Sequence, residues 1–282
     1  MLSLMFYSIR NRRKGHMKTK DDLLTTLLID QYIAAPWKLY GYSANEDDKE
    51  IEDIFCDDDS PQFNSPYSQI MIVCERDSHG LDFIRDMAIK HFSMTTPISY
   101  FLTKETVESF LRYYCVSQRE MTKEQFKKEN IETENFNKIY NYLDHLKSLP
   151  VSFILKPTFK TLAHFPEGRL TVIDDLTPFL DERSAEDLQT QKLTLLQKLR
   201  SIADKQHSTQ LILWEVDGKN IEKEIRPEIL KVPDLTLFLR KTPEKMVYTL
   251  TSCHDIRKRE INLTIAYDSQ YGQFVKFSIV KA

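Results

Sequence analysis

The chain has 282 residues, 41% apolar and 29% charged, with a formal net charge of −3. That length buries a full core as one large α/β domain or two small ones. The near-neutral charge excludes a global basic field that would draw the whole chain onto nucleic acid or an anionic membrane.

The four cysteines, Cys56, Cys74, Cys115 and Cys253, have no paired spacing. This argues against a zinc site or a disulfide framework and for a reducing cytoplasm. Met1, Leu2 and their apolar neighbours come before Arg10, Arg12, Arg13 and Lys14, the wrong order for a signal peptide. No apolar run approaches the ~20 residues needed to span a bilayer, so no membrane contact is expected. Only six glycines occur, where average usage would give about twenty. Loops that wrap phosphates rely on glycine to bring backbone N–H groups close, so the scarcity disfavours an ordinary nucleotide site.

Residues 1–16 differ in tone from the rest, and Met17 begins a more ordinary sequence. The expectation is that 1–16 are a misassigned start or a disordered stretch. Asp21 and Asp22 open a helix through Leu23, Leu24, Leu27, Leu28 and Tyr32, stopped by Pro36. A single apolar stripe on an arm needs cover, from its own domain or from a neighbour. Residues 45–59 are acidic and run into a Pro/Asn/Ser-rich stretch, read as an exposed linker. The division expected is a helical arm and linker over 17–66 and one α/β domain over 67–282.

Strands are predicted at residues 69–74, 97–101, 151–155 and 169–173, each short and apolar. Phe83, Ile84, Met87, Ala88 and Phe92 mark a helix after the first. Thr103, Lys104 and Glu105 open a second helix through Val107, Phe110, Leu111 and Tyr114. Residues 122–147 are charged and helical in pattern. The fourth strand ends in Asp174 and Asp175. Ser184 then caps a helix with Asp187 as its capping-box partner; Leu188, Leu195, Leu196, Leu199, Ile202 and Ala203 recur at helical spacing to His207. Residues 210–216 form the next strand. A strand–helix–strand unit of this length implies a parallel pair and a right-handed crossover. Further on, residues 235–240, 246–251, 261–267 and 274–280 read as short strands with a turn at 268–272, which predicts antiparallel additions.

Four stretches in this order resemble the C-terminal RecA-like domain of the DnaB family of replicative helicases. Residues 70–83 (Ile-Met-Ile-Val-Cys-Glu-Arg-Asp-Ser-His-Gly-Leu-Asp-Phe) look like the family's strand followed by Arg-Pro-Ser-Met-Gly-Lys-Thr. Residues 97–105 (Pro-Ile-Ser-Tyr-Phe-Leu-Thr-Lys-Glu) resemble its Phe-Phe-Ser-Leu-Glu-Met strand end. Residues 170–176 (Leu-Thr-Val-Ile-Asp-Asp-Leu) resemble the Walker B strand, and residues 233–240 (Pro-Asp-Leu-Thr-Leu-Phe-Leu-Arg) resemble Asp-Leu-Val-Leu-Phe-Leu-Tyr-Arg. The resemblance covers residues 69–280. It implies a three-layer α/β/α fold with a mainly parallel sheet, extended by antiparallel C-terminal strands and preceded by the helical arm.

The same resemblance says where the chemistry should be. A P-loop lysine neutralises the β/γ-phosphates and the next Ser/Thr ligates Mg²⁺; the matching positions after Gly80 hold Leu81 and Asp82. The catalytic glutamate corresponds to Lys104, with Glu105 adjacent. The Ser-Gln sensor corresponds to Trp214 and Glu215. The Lys-x-Arg finger that reaches a neighbouring subunit falls at Tyr267, Asp268 and Ser269, none of them a cation. Asp174 alone matches, as the magnesium carboxylate; read from the residues only, Asp174 and Asp175 are equally a cap beyond a buried strand, and His79 and Asp82 the start of a solvated helix.

The expectation is a DnaB-like domain with a degenerate phosphate loop (Gly80, Leu81, Asp82) and no cofactor. It acts by contact with its own copies, a helicase-type protein or DNA, in replication or a mobile element. One alternative is a working ATPase or helicase binding ATP and Mg²⁺, with Asp174 on the metal and Glu105 as base. Another is a DNA-binding module using Lys241, Lys245, Arg257, Lys258 and Arg259, with Tyr248 nearby for stacking.

Overall fold

The computed structural model describes residues 65, 67–88, 97–104, 106–119, 121–127, 133–146, 149–155, 158–159, 170–181, 184–218 and 220–276. The expected arm and acidic linker, Phe92, Glu105 and residues 277–282 lie outside them.

Among the described residues nine strands form one sheet: β1 (Gln69–Glu75), β2 (Ile98–Leu102), β3 (Val151–Leu155), β4 (Leu170–Ile173), β5 (Thr209–Val216), β6 (Leu235–Lys241), β7 (Val247–Asp255), β8 (Asn262–Asp268) and β9 (Gln273–Lys276). Their order is β3-β2-β4-β5-β1-β6-β7-β8-β9. The first six pair in parallel and the last three are added antiparallel. The sheet is therefore the mainly parallel one expected, with the antiparallel extension at its C-terminal side. β4 and β5 are parallel neighbours, as a helical crossover between them requires.

Alternation along the central strands builds a core on each face. Ile70, Ile72 and Cys74 of β1, with Leu211 and Leu213 of β5 and Leu235, Leu237 and Leu239 of β6, face one core. Helices α1 (Gly80–Asp86), α2 (Val107–Ser117), α3 (Lys123–Lys127) and α4 (Thr133–Leu146) cover it. Met71 and Val73 point the other way, with Ile212, Trp214 and Phe238. They meet α5 (Leu188–Gln206), α6 (Ile221–Glu224) and α7 (Pro227–Leu230). Both faces being covered, the strands read as continuous apolar runs.

Several helix boundaries differ from the sequence reading. The N-cap of α5 is Asp187, whose carboxylate accepts from the Gln189 and Thr190 N–H groups; Ser184 lies outside the helix. Asp187 holds the extended backbone that a cap residue needs, and Leu188 is the first helical residue. His207 closes α5 in the left-handed conformation. α2 starts at Val107 behind Thr106, which accepts from Ser109 N–H, so Thr103 and Lys104 do not open it. Within the predicted 122–147 stretch the described residues form α3 and α4, and the short α6 and α7 were not foreseen.

Two buried amides tie α5 to the sheet. Gln69 Nε2 donates to the Leu196 carbonyl at 3.2 Å and to Gln210 Oε1 at 3.0 Å, while Gln210 Nε2 donates to the Leu199 carbonyl at 2.9 Å. The strand order reverses around β1, with β5, β4 and β2 on one side and β6 on the other. In open α/β sheets that switch point, at the C-terminal ends of the strands, is where ligands bind.

Candidate functional site at the strand tips

At the tip of β1 the chain turns through Arg76, Asp77, Ser78 and His79 before α1 begins. Arg76 N–H donates to the Val216 carbonyl at 2.9 Å. Ser78 directs both its N–H (3.0 Å) and its hydroxyl (2.6 Å) to the Glu75 carbonyl. His79 adopts a left-handed φ of 59°. Gly80 is required by proximity, because a Cβ there would collide with Cys74 Sγ. Burial pushes the Cys74 thiol up to about 11, leaving it unreactive.

Leu81 packs against the first core. Asp82 faces protein partners: Tyr267 OH donates to it at 2.5 Å, Arg85 Nη1 at 2.8 Å, and His79 Nδ1 lies 3.5 Å away. The Tyr267 ring stacks on His79, centroids 3.8 Å apart and planes at 13°. Lys123 Nζ donates to the same hydroxyl at 2.8 Å. Burial pushes the Asp82 carboxyl up, but His79, Arg85, Tyr267 and Lys123 outweigh it and hold the carboxyl below its ordinary value. Burial, with Asp82 next to it, drives the Tyr267 phenol far above its ordinary value. One turn on, buried Asp86 accepts from Tyr113 OH and, at 2.7 Å, from Phe274 N–H. The stretch expected to face phosphates is thereby joined to β8 and β9 of its own chain. Tyr267, at the finger position, reaches into its own domain.

At the tip of β4, Asp174 is 1% exposed. It accepts from Thr103 N–H at 2.9 Å, from the Thr103 hydroxyl, and from Lys104 N–H at 3.2 Å. Asp175 caps the turn that follows, accepting from Thr177 N–H at 2.9 Å and its hydroxyl at 2.8 Å. The Lys104 ammonium is ion-paired with Glu215. The positions expected for the catalytic glutamate and the sensor therefore hold a cation and a carboxylate bonded to each other. Trp214 faces the second core with Lys192 Nζ 4.4 Å from its ring centroid. Glu105 lies outside the described residues.

The five basic residues do not form one patch. Lys241 ends β6 and pairs with Tyr248, whereas Leu235 pairs with Asp255 at the other end of the hairpin. Lys241 and Lys245 therefore stand roughly 20 Å from the turn carrying Arg257, Lys258 and Arg259. Arg259 donates through Nε to Asp255 at 3.1 Å and bonds the Tyr67 hydroxyl. Tyr248 is 1% exposed and offers no face for stacking. A cleft of about 220 Å³ lies elsewhere, between Phe179, Leu180 and the Leu195 side of α5.

Sequence reasoning missed His79, Lys123 and Tyr267 as one cluster. Only the i,i+3 spacing of His79 and Asp82 was a local signal; Lys123 and Tyr267 arrive from distant elements. Among the described residues no helix is long and apolar enough to cross a membrane.

No family model matches the sequence and no curated protein matches it. Solved structures do. One solved ATPase domain aligns over 93% of this chain and 100% of its own, with a TM-score of 0.65 at 11% identity. A DnaB-like replicative helicase, solved for its interactions with primase, aligns over 97% of this chain and 71% of its own, with a TM-score of 0.65 at 10% identity. The chain has the RecA-like α/β fold of DnaB-type helicase ATPase domains.

Proposed function

We propose that this chain is a helicase-fold domain that no longer hydrolyses nucleotide and works by contact, with a ring helicase or related protein or with DNA, in replication or a mobile element. The observation that carries this reading is the stack of His79 on Tyr267 over the partly buried Asp82 carboxylate. Leu81 and Asp82 offer no cation to a β/γ-phosphate pair, and a carboxylate repels one. The Lys104–Glu215 pair supports the same reading, because a general base that is a lysine bonded to a glutamate activates no water. The residues present at these positions do not fit ATP or Mg²⁺.

The test is a calorimetric titration of Mg-ATP into the full chain with a turnover assay beside it. Absence of binding heat at millimolar nucleotide and of phosphate release is expected; magnesium-dependent turnover overturns the reading. The alternative of a working ATPase is favoured by one observation, the position of Asp174 at the tip of β4. It predicts that ATP protects the protein from thermal unfolding and that Asp174→Ala abolishes the protection.

A further inference from the structure

Among the described residues three large apolar side chains are exposed: Phe159 at 38%, Leu188 at 55% and Ile256 at 47%. Two of the three stand at one place. Phe159 lines the cleft of about 220 Å³ together with Phe179, Leu180 and Leu195, with Glu186 and Lys198 among its charged lining. Leu188, Gln191, Leu195 and Lys198 recur at helical spacing on α5, so Leu188 carries the same face one turn beyond the cleft. The volume decides what fits. Sites for cofactors and drug-sized ligands run from about 300 Å³ upward, whereas a cavity of about 150 Å³ already holds a benzene ring. A hollow between those sizes takes one apolar side chain, as an anchor pocket in a protein contact does.

The third exposed side chain is built as such an anchor. Ile256 stands on the turn between β7 and β8, and Lys258 two residues on is exposed. Their backbone is fixed: Ile256 N–H donates to the Asp234 carbonyl and Lys258 N–H to the Asp255 carbonyl, each at 2.9 Å. Lys258 takes a left-handed φ of 59° that closes the turn. An anchor already held in place loses little conformational freedom on binding. At the cleft, the exposed Glu186 precedes α5 and Lys198 lies about 15 Å down the helix, so a cation arriving with the anchor is drawn to the Glu186 end. Turn and cleft of one domain cannot meet, because β5, β1 and β6 separate β4 from β7 and set them roughly 19 Å apart across the sheet.

We propose that the Ile256–Lys258 turn of one copy of the chain enters the α5 cleft of another, Ile256 among Phe179, Leu180 and Leu195 and Lys258 on Glu186. The contact is head-to-tail: each added copy leaves a turn at one end and a cleft at the other, so association runs past the dimer. It lies away from the strand tips, where Tyr267, at the expected finger position, is bonded to Asp82 of its own domain. It goes beyond the nucleotide question and stands whether or not the domain hydrolyses ATP.

Light scattering of the full chain over a concentration series tests it. The mean mass is expected to rise past twice that of the monomer. Ile256→Asp breaks the turn and Thr194→Trp fills the cleft; each weakens association at least about tenfold. An equimolar mixture of the two recovers a 1:1 complex and nothing larger, since each pair keeps one intact turn and one intact cleft. Charge exchange reads the same contact without touching the packing: Glu186→Lys and Lys258→Glu each weaken it alone and restore it together in one chain. Three results overturn the proposal: a chain that stays monomeric up to about 1 mM, which gives the cleft to a different protein; association indifferent to Ile256→Asp and to Glu186→Lys; or a mixture that recovers no complex.

Discussion

Asp174 at the tip of β4 and Asp234 just before β6 sit at opposite ends of the sheet and do the same work. Asp174 accepts from the Thr103 and Lys104 N–H groups; Asp234 accepts from Ser68 N–H at 2.8 Å and Gln69 N–H at 3.2 Å. Asp234 also holds the Arg200 guanidinium, which donates to the Val232 carbonyl at 2.5 Å. Yet only Asp174 is expected, from the sequence resemblance, at the position where P-loop enzymes hold magnesium. A buried carboxylate at a strand end is therefore no signature of a metal; it satisfies the backbone of a neighbouring strand where the ladder runs out.

Substitution tests whether the two carboxylates are equivalent. Asp234→Ala should cost most, about 3 kcal/mol in urea unfolding, because two N–H groups and a guanidinium lose their acceptor; the one-third exposure of Arg200 lets water replace part of it. Asp174→Ala should cost about 2 kcal/mol, and Asp174→Asn about half that, since an amide oxygen still accepts. The loss at Asp174 should be the same with and without Mg-ATP. A nucleotide-dependent difference at Asp174 and none at Asp234 would separate the two carboxylates after all.

Gly80→Ala should cost about 1.5 kcal/mol through its collision with Cys74 Sγ, and Cys74→Ala in the same chain should recover much of it. If instead Gly80 serves an incoming phosphate, the second substitution rescues nothing. The smallest effect concerns pH. The Asp82 carboxyl is depressed in the folded chain, so its contribution is present at neutral pH and is lost as pH falls below the ordinary carboxylate value of about 4 and through the folded one. The stability gap between the native chain and Asp82→Asn should shrink across that acid limb, read by thermal melts.

The sheet was legible in the sequence because strands buried on both faces are apolar along most of their length, as residues 70–74 and, save for Thr171, residues 170–173 are. The antiparallel extension was legible from short strands at close spacing. Helix starts were less so: Ser184 and Asp187 are both competent caps by type, and backbone conformation alone selects Asp187. At the site, absence of charge at Leu81 could be read directly. What fills the space could not, because Tyr267 and Lys123 approach Asp82 from across the fold, and no local pattern encodes that meeting. The basic residues misled for the same reason: close in sequence, they are set at opposite ends of one hairpin by strand pairing.

The Gln69 and Gln210 side chains grip two carbonyls of α5 from beneath. Sliding that helix by half a turn, about 2.7 Å, would carry the Leu196 and Leu199 carbonyls out of reach and strand two amides in an apolar layer. α5 and the central strands are consequently held as one piece.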